Sequence, residues 1–178
     1  FRLSIHLLIA FLILSLIFWN YLKYQKKYNP VENGINSIIP FVFLLLILTQ
    51  IVIGAFVSGM DAGKIYNSWP LMGNTYFPND NNVENLFKLS AFSDPSLVQF
   101  IHRNLAYLIG LFYVFMLFKV YKNKIIKLYR PVNILGFFII LQIVLGIFTV
   151  VLGAQIYIAA VHQVSSIFLV TSSIYFFF

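Results

Sequence analysis

The chain has no cysteine and only five acidic residues among 178, and none of those acids falls inside a long apolar run. The first absence removes disulfide frameworks and thiolate metal sites. The second removes proton relays of the carboxylate type, which need an Asp or Glu at membrane depth. Charged residues amount to 10% of the chain, where a water-soluble domain carries about 25%, so the polar surface needed to face water is missing. What is present instead is 61% hydrophobic residues and a mean hydropathy of +0.89. They come in runs near the ~20 residues a helix needs to cross a bilayer. The expected fold class is all-α, a polytopic transmembrane helical bundle. Residue 1 is Phe and the chain opens and closes inside apolar runs, which reads as a fragment cut at both ends.

Five spans are expected: Leu3 to Leu22, Ile38 to Val57, Leu97 to Tyr121, Val132 to Leu152, and the run after the turn Gly153 to Tyr157. Trp19, Asn20 and Tyr21 mark an interfacial belt at the far end of the first. Asn29-Pro30 and Asn33-Gly34 are turn signals, and Pro131 suits the first turn of the fourth span. The net charge of +7 is not spread as a nucleic-acid patch would be. Eight of the twelve basic residues lie in two stretches, Lys23 to Lys27 and Lys119 to Arg130. By the positive-inside rule both face the cytoplasm or matrix. The segment Gly59 to Ser96, which holds Asp61, Asp80, Glu84 and Asp94, then lies outside.

That topology gives the three histidines a common depth. His6, His102 and His162 each fall in the first two turns of a span running inward, roughly 5–10 Å below the outer interface at 1.5 Å per residue. Each is followed four positions later by a small residue, Ala10, Ala106 and Ser166, on the same helix face. A flat macrocycle held broadside to the helix needs that room, although small residues also serve ordinary helix packing. An internal repeat accompanies them. Gln50-Ile-Val-Ile-Gly54-Ala-Phe56 recurs as Gln142-Ile-Val-Leu-Gly146-Ile-Phe148, each copy followed by an outward turn and a histidine-bearing span. The glycines permit close helix approach and the glutamines can bond across helices, and repeated membrane units tend to hold a site at their interface; taken alone, these residues also read as helix packing and nothing more.

With no Cys and no His-x-x-x-His on one helix, zinc is disfavoured. Two neutral imidazoles from two helices suit heme iron, the porphyrin supplying the remaining donors. A purely structural role for each histidine is the competing reading. Arg103 has two readings as well, a charge-assisted partner for a heme propionate or an interfacial anchor. The aromatic and glycine-rich stretch from Ser58 to Gly73 reads as a folded lid over a cofactor or as a structural cap.

These residues resemble a known family. Asp61-Ala-Gly-Lys-Ile-Tyr66-Asn67-Ser-Trp-Pro70-Leu-Met72-Gly73, then Val98-Gln99-Phe100-Ile-His102-Arg103, then Ala159-Ala-Val-His162-Gln163, with Arg2-Leu3-Ser-Ile-His6-Leu7 at the start, look like heme A synthase of the mitochondrial and alphaproteobacterial type. The resemblance spans essentially the whole chain. It implies an eight-helix protein of two similar halves. Residues 1–35 would be the last helix of the N-terminal half plus the inter-half loop, and 36–178 the C-terminal heme-binding half. It implies oxidation of the C8 methyl of substrate heme O to the formyl of heme A for terminal oxidase assembly. His102 and His162 would be the axial iron ligands of a heme b, with Arg103 beside it. His6 would belong to the substrate-heme side as a catalytic or iron-ligating residue, its partner histidine lying upstream, so this piece alone should be inactive. The implied surroundings are membrane lipid, heme O synthase, oxidase assembly factors and a homo-oligomer. The implied location is a bacterial plasma membrane or mitochondrial inner membrane. A membrane cytochrome b that carries electrons without its own substrate is the alternative. A heme-free transporter or assembly factor with structural histidines is a third reading.

Overall fold

A computed structural model describes residues 2–25 and 35–178. Lys26, Lys27 and the two Asn-based turn signals lie outside the described residues, as does nearly all of the expected inter-half loop. Five helices follow in order: α1 (Arg2–Tyr24), α2 (Ile38–Gly59), α3 (Pro95–Lys122), α4 (Ile126–Val151) and α5 (Ile156–Phe177). All five are long and apolar enough to cross a membrane, and no strand forms among the described residues. Backbone groups in lipid must be satisfied within the segment, which leaves the helix as the form for such runs. The protein is an integral membrane protein built as a helical bundle.

The boundary of α4 departs from the sequence expectation. The helix starts at Ile126, so Pro131 lies inside it, in the second turn, rather than opening it. Proline there forfeits one bond, to the carbonyl of Lys127, at the basic end of the bundle where polar groups can meet that carbonyl. Lys124, at φ 52°, and Asn123 and Ile125 are all that connect α3 to α4. The basic residues of this region therefore sit mostly on helix ends. At the other end of α3, Asp94 caps the helix by accepting from Leu97 N at 3.0 Å, with Pro95 in the first turn. Such a cap is worth about 1 kcal/mol.

Helices α2 to α5 form a ring in chain order. α2 packs on α3, α3 on α4, α4 on α5 and α5 back on α2, so α3 and α5 are diagonal. α1 lies outside this ring against α2 and α5. Trp19 meets Phe177 at 5.4 Å between ring centroids, so α1 and α5 run parallel, and Phe41 meets Phe177 at 6.2 Å, so α2 runs opposite to them. The histidine-bearing ends of α1, α3 and α5 therefore share one end of the bundle, opposite the basic ends.

Packing is uneven along the bundle. The inner end is a dense apolar core in which Phe43, Met116, Val120, Val132, Leu135 and Val170 are fully buried. Toward the outer end it thins: α4 has no buried residue after Ile139, and α5 none before Ser165. The α3–α4 seam shows how tight the inner part is. Tyr113 donates to the carbonyl of Val132 at 3.3 Å, and its hydroxyl rests where a Cβ on Gly136 would stand.

The outer segment between α2 and α3 is folded, with short 3-10 turns at Ala62–Lys64, Val83–Phe87 and Leu89–Ser93 and a bridge between Met72 and Thr75. Asp80 is one of its fasteners, accepting from Ser96 Oγ at 2.5 Å and from Tyr66 Oη at 3.0 Å. Partial burial pushes the Asp80 carboxyl up, but the hydrogen bonds from Ser96 and Tyr66 outweigh it and hold the group below its usual range. Burial and the same bond hold the Tyr66 phenol above its usual value.

Two outcomes follow from this packing. Gly136→Ala should drive Tyr113 out of the seam and lower stability by about 1–3 kcal/mol, as overpacked cores do, and a thermal melt in detergent reads this. An unchanged midpoint would mean the seam yields freely. Because Asp80 is depressed in the fold, its contribution is present above the ordinary carboxylate value of about 4 and is lost as pH falls through the lower folded value. In a Trp19→Phe background, Trp69 emission should therefore hold steady from neutral pH to about 5 and change only in stronger acid. The acid change should shrink in Asp80→Asn; coincident curves for the two proteins would show that Asp80 does not control the loop.

Candidate heme-binding site

The repeat read from sequence is a repeat in space. On α2, Gln50 and Gly54 lie one turn apart on one face, and that face meets His102 of α3. Gln50 Nε2 donates to the His102 carbonyl at 2.9 Å, and a Cβ on Gly54 would stand 3.0 Å from Cε1 of the imidazole. On α4, Gln142 and Gly146 treat His162 of α5 alike. Gln142 Nε2 donates to the His162 carbonyl at 3.2 Å, and a Cβ on Gly146 would stand 3.4 Å from its Cε1. In each copy the glutamine clamps the backbone of the histidine turn, and the glycine leaves room for the Cε1 side of the ring against the neighbouring helix.

The two histidines thus project from diagonal helices near the thinly packed outer end. Each has a buried Nδ1 with no hydrogen-bond partner among the described residues. Unpartnered buried polar atoms are uncommon and ask for an explanation. With the ring proton on Nδ1, Nε2 keeps the lone pair that a metal would take. No group of three or more His, Cys, Asp or Glu among the described residues could hold a bare metal ion. Two imidazoles from two helices are a donor set that a heme iron, which brings its porphyrin ligands with it, can take.

His6 stands apart. It is exposed on α1, outside the four-helix ring, and no described interaction joins it to the other two histidines. Its follower Ala10 is exposed too, whereas Ala106 is half-buried and Ser166 is buried, its hydroxyl turned to the carbonyl of Gln163 at 2.5 Å.

Arg103 points away from the ring interior, into the outer loop. Its Nη1 donates to the carbonyls of Ser68 at 2.9 Å and Leu71 at 3.3 Å, and its Nη2 to that of Tyr66 at 2.9 Å, while Nε is buried without a partner. Residues that the sequence reading did not weigh extend this contact. Gln99 also donates to the Tyr66 carbonyl, at 2.9 Å; Tyr76 donates to Asn104 at 2.5 Å; Trp69 Nε1 donates to Tyr107 Oη at 2.9 Å. Gln99, Arg103 and Tyr107 are spaced by four along an apolar helix. A polar stripe of that period is the sequence signal that could have revealed the docking face.

Comparison with known proteins places the chain. The model for the COX15-CtaA family, cytochrome oxidase assembly proteins, matches residues 1–174. Heme A synthase of Pelagibacter ubique (strain HTCC1062) is 44% identical over 97% of this chain and 50% of its own length. Those of Wolbachia pipientis wMel and Rickettsia felis are 39% and 34% identical, over 99% and 100% of this chain and 49% and 54% of their own lengths. The chain spans about half the length of these curated relatives. No solved structure gives a significant match. On the whole-chain agreement of sequence and family model, the chain belongs to the COX15-CtaA family of cytochrome oxidase assembly proteins.

Proposed function

We propose that this chain is the part of a heme A synthase that binds a heme b between His102 and His162. The carrying observation is the paired geometry: two histidines on diagonal helices, each clamped by a glutamine and backed by a glycine. His102 and His162 would be the axial ligands through Nε2. When bound, the heme iron supplies one-electron redox chemistry. The protein's share would be to present both imidazoles from α3 and α5, held by Gln50 and Gln142. Arg103 fixes the loop above the site through three carbonyls, and its free Nε–H leaves one donor for a propionate.

The overall reaction, carried by the whole protein, is then oxidation of the C8 methyl of heme O to the formyl of heme A, for cytochrome oxidase assembly. That the chain's relatives in Pelagibacter and Wolbachia are heme A synthases supports it. The half formed by residues 36–178 would hold the electron-transferring heme. α1, with His6, would belong to the half where heme O reacts. The position of α1 outside the four-helix ring supports that division. The basic helix ends would face the cytoplasm. The relatives named above are all bacterial, which favours a bacterial plasma membrane.

Reduced-minus-oxidised spectra of the purified protein with added heme b test the ligand assignment. The parent and His6→Ala should give a low-spin b-type spectrum, and His102→Ala and His162→Ala should each lose it. Retention of that spectrum in both single variants would overturn the assignment.

A further inference from the structure

The two histidine sites share one repeat but are not finished alike. The amide nitrogen of Gln142 has a second acceptor close by, Ser165 Oγ at 2.5 Å, and that hydroxyl itself donates to the His162 carbonyl at 2.9 Å. The imidazole of His162 makes no hydrogen bond among the described residues. Only its Nδ1 is buried without a partner, so Nε2 is the nitrogen left open to a ligand. Gln50 has no such hydroxyl. The residue three after His102 is Leu105, where His162 has Ser165. The second contact of the Gln50 amide is therefore the ring itself, with Nε2 of Gln50 3.4 Å from Nε2 of His102.

The direction of that contact is determined by its surroundings. The same amide nitrogen donates to the His102 carbonyl, and Gln50 Oε1 is buried without a partner. Turning the amide over would set two oxygens against each other, so the N–H faces the ring. An N–H facing Nε2 favours the tautomer with the lone pair there and the ring proton on Nδ1. This is the tautomer that ligates through Nε2, with the lone pair covered. Gly54 stands close behind Cε1, so the ring is held between the α2 backbone and the Gln50 amide.

We propose that Gln50 is a positioning residue that makes the two axial positions unequal. It readies the His102 tautomer while covering Nε2, so His162 offers its nitrogen first and His102 ligates only after the Gln50 amide has moved off. The proposal rests on the bis-histidine reading above. A long N–H···N contact is a weak hydrogen bond, so the cover is one that a stronger ligand can displace. The amide can keep its bond to the His102 carbonyl as it gives way, which leaves the backbone clamp in place.

Hemin titration and stopped-flow mixing with the purified protein, with carbon monoxide trapping after reduction, test this. The parent should load in two phases: a carbon monoxide-accessible species that His162 holds alone, then the low-spin spectrum. His102→Ala should stop at the first species, while His162→Ala should bind hemin at least about tenfold more weakly. Leu105→Ser gives Gln50 the hydroxyl that Gln142 has and leaves the carbonyl clamp intact, so it should speed the second phase about fivefold, the size expected from one weak hydrogen bond. Gln50→Leu should speed it too, and Gln142→Leu should not. Should Gln50→Leu fail to fold, Leu105→Ser still decides the matter.

A parent that forms the low-spin species in one step, or a second phase that neither Leu105→Ser nor Gln50→Leu changes, would overturn the role of Gln50 and leave the heme reading standing. Absence of any low-spin species in the parent would overturn both. Equal loss of hemin affinity in His102→Ala and His162→Ala would refute the order of ligation.

Discussion

A guanidinium buried at the outer end of a membrane helix has to find oxygen for its N–H groups, because lipid offers none. Arg103 finds it in the carbonyls of Tyr66, Ser68 and Leu71. Much of the outer surface follows from that need. The loop is drawn down along α3, where Gln99, Asn104 and Tyr107 can each add a bond. Consecutive helical residues point ~100° apart. With Arg103 committed to the loop, the preceding side chain is turned toward α2, where Gln50 and Gly54 receive the His102 ring. The loop and the first ligand are therefore two consequences of one helix orientation.

The repeat does the rest with few residues. A glutamine one turn before a glycine supplies a clamp and a flat surface, and the same pair on α4 supplies them again. Two like units closing into a ring put their special faces on diagonal helices. The close packing goes to the basic end, where Phe43, Met116, Leu135 and Val170 fill the interior. In a bundle this small, rigidity at one end lets the other end carry short side chains and rings without collapsing onto them.

Much of this was legible in the sequence. Apolar runs gave five spans because lipid permits only helices there. The repeat Gln-x-x-x-Gly marked the helix faces that meet His102 and His162. The start of α4 was not legible: a proline ordinarily marks a helix beginning, and only packing shows that Ile126 to Arg130 continue the helix through it. Nor were the loop contacts of Arg103. Its partners are backbone carbonyls, which every residue has and which no residue type announces. The difference between Leu105 and Ser165 was visible as letters. It acquired meaning only when Gln50 and Gln142 were seen reaching for the same position on different helices.

The loop treats its two neighbours differently. Toward α3 it is fixed by hydrogen bonds from side chains on both partners. Toward the α4–α5 turn the described contacts are of another kind: a Cβ on Gly63 would stand 3.1 Å from the Ala154 side chain, and one on Gly153 would stand 3.0 Å from Asn67 Nδ2. Gly153 and Ala154 both hold positive φ there, so the turn is compact and offers little surface to grip. Directional bonds resist sliding and rotation, whereas close packing resists only approach. The α3 side of the site is thus pinned, with its imidazole held between Gly54 and Gln50. The loop does not grip α5 in that way, and the first two turns of that helix bury nothing. The His162 turn takes its fixing from α4 instead, where Gln142 donates to the His162 carbonyl, so the two walls of the site are held from different elements: one by the loop and α2, the other by α4 alone.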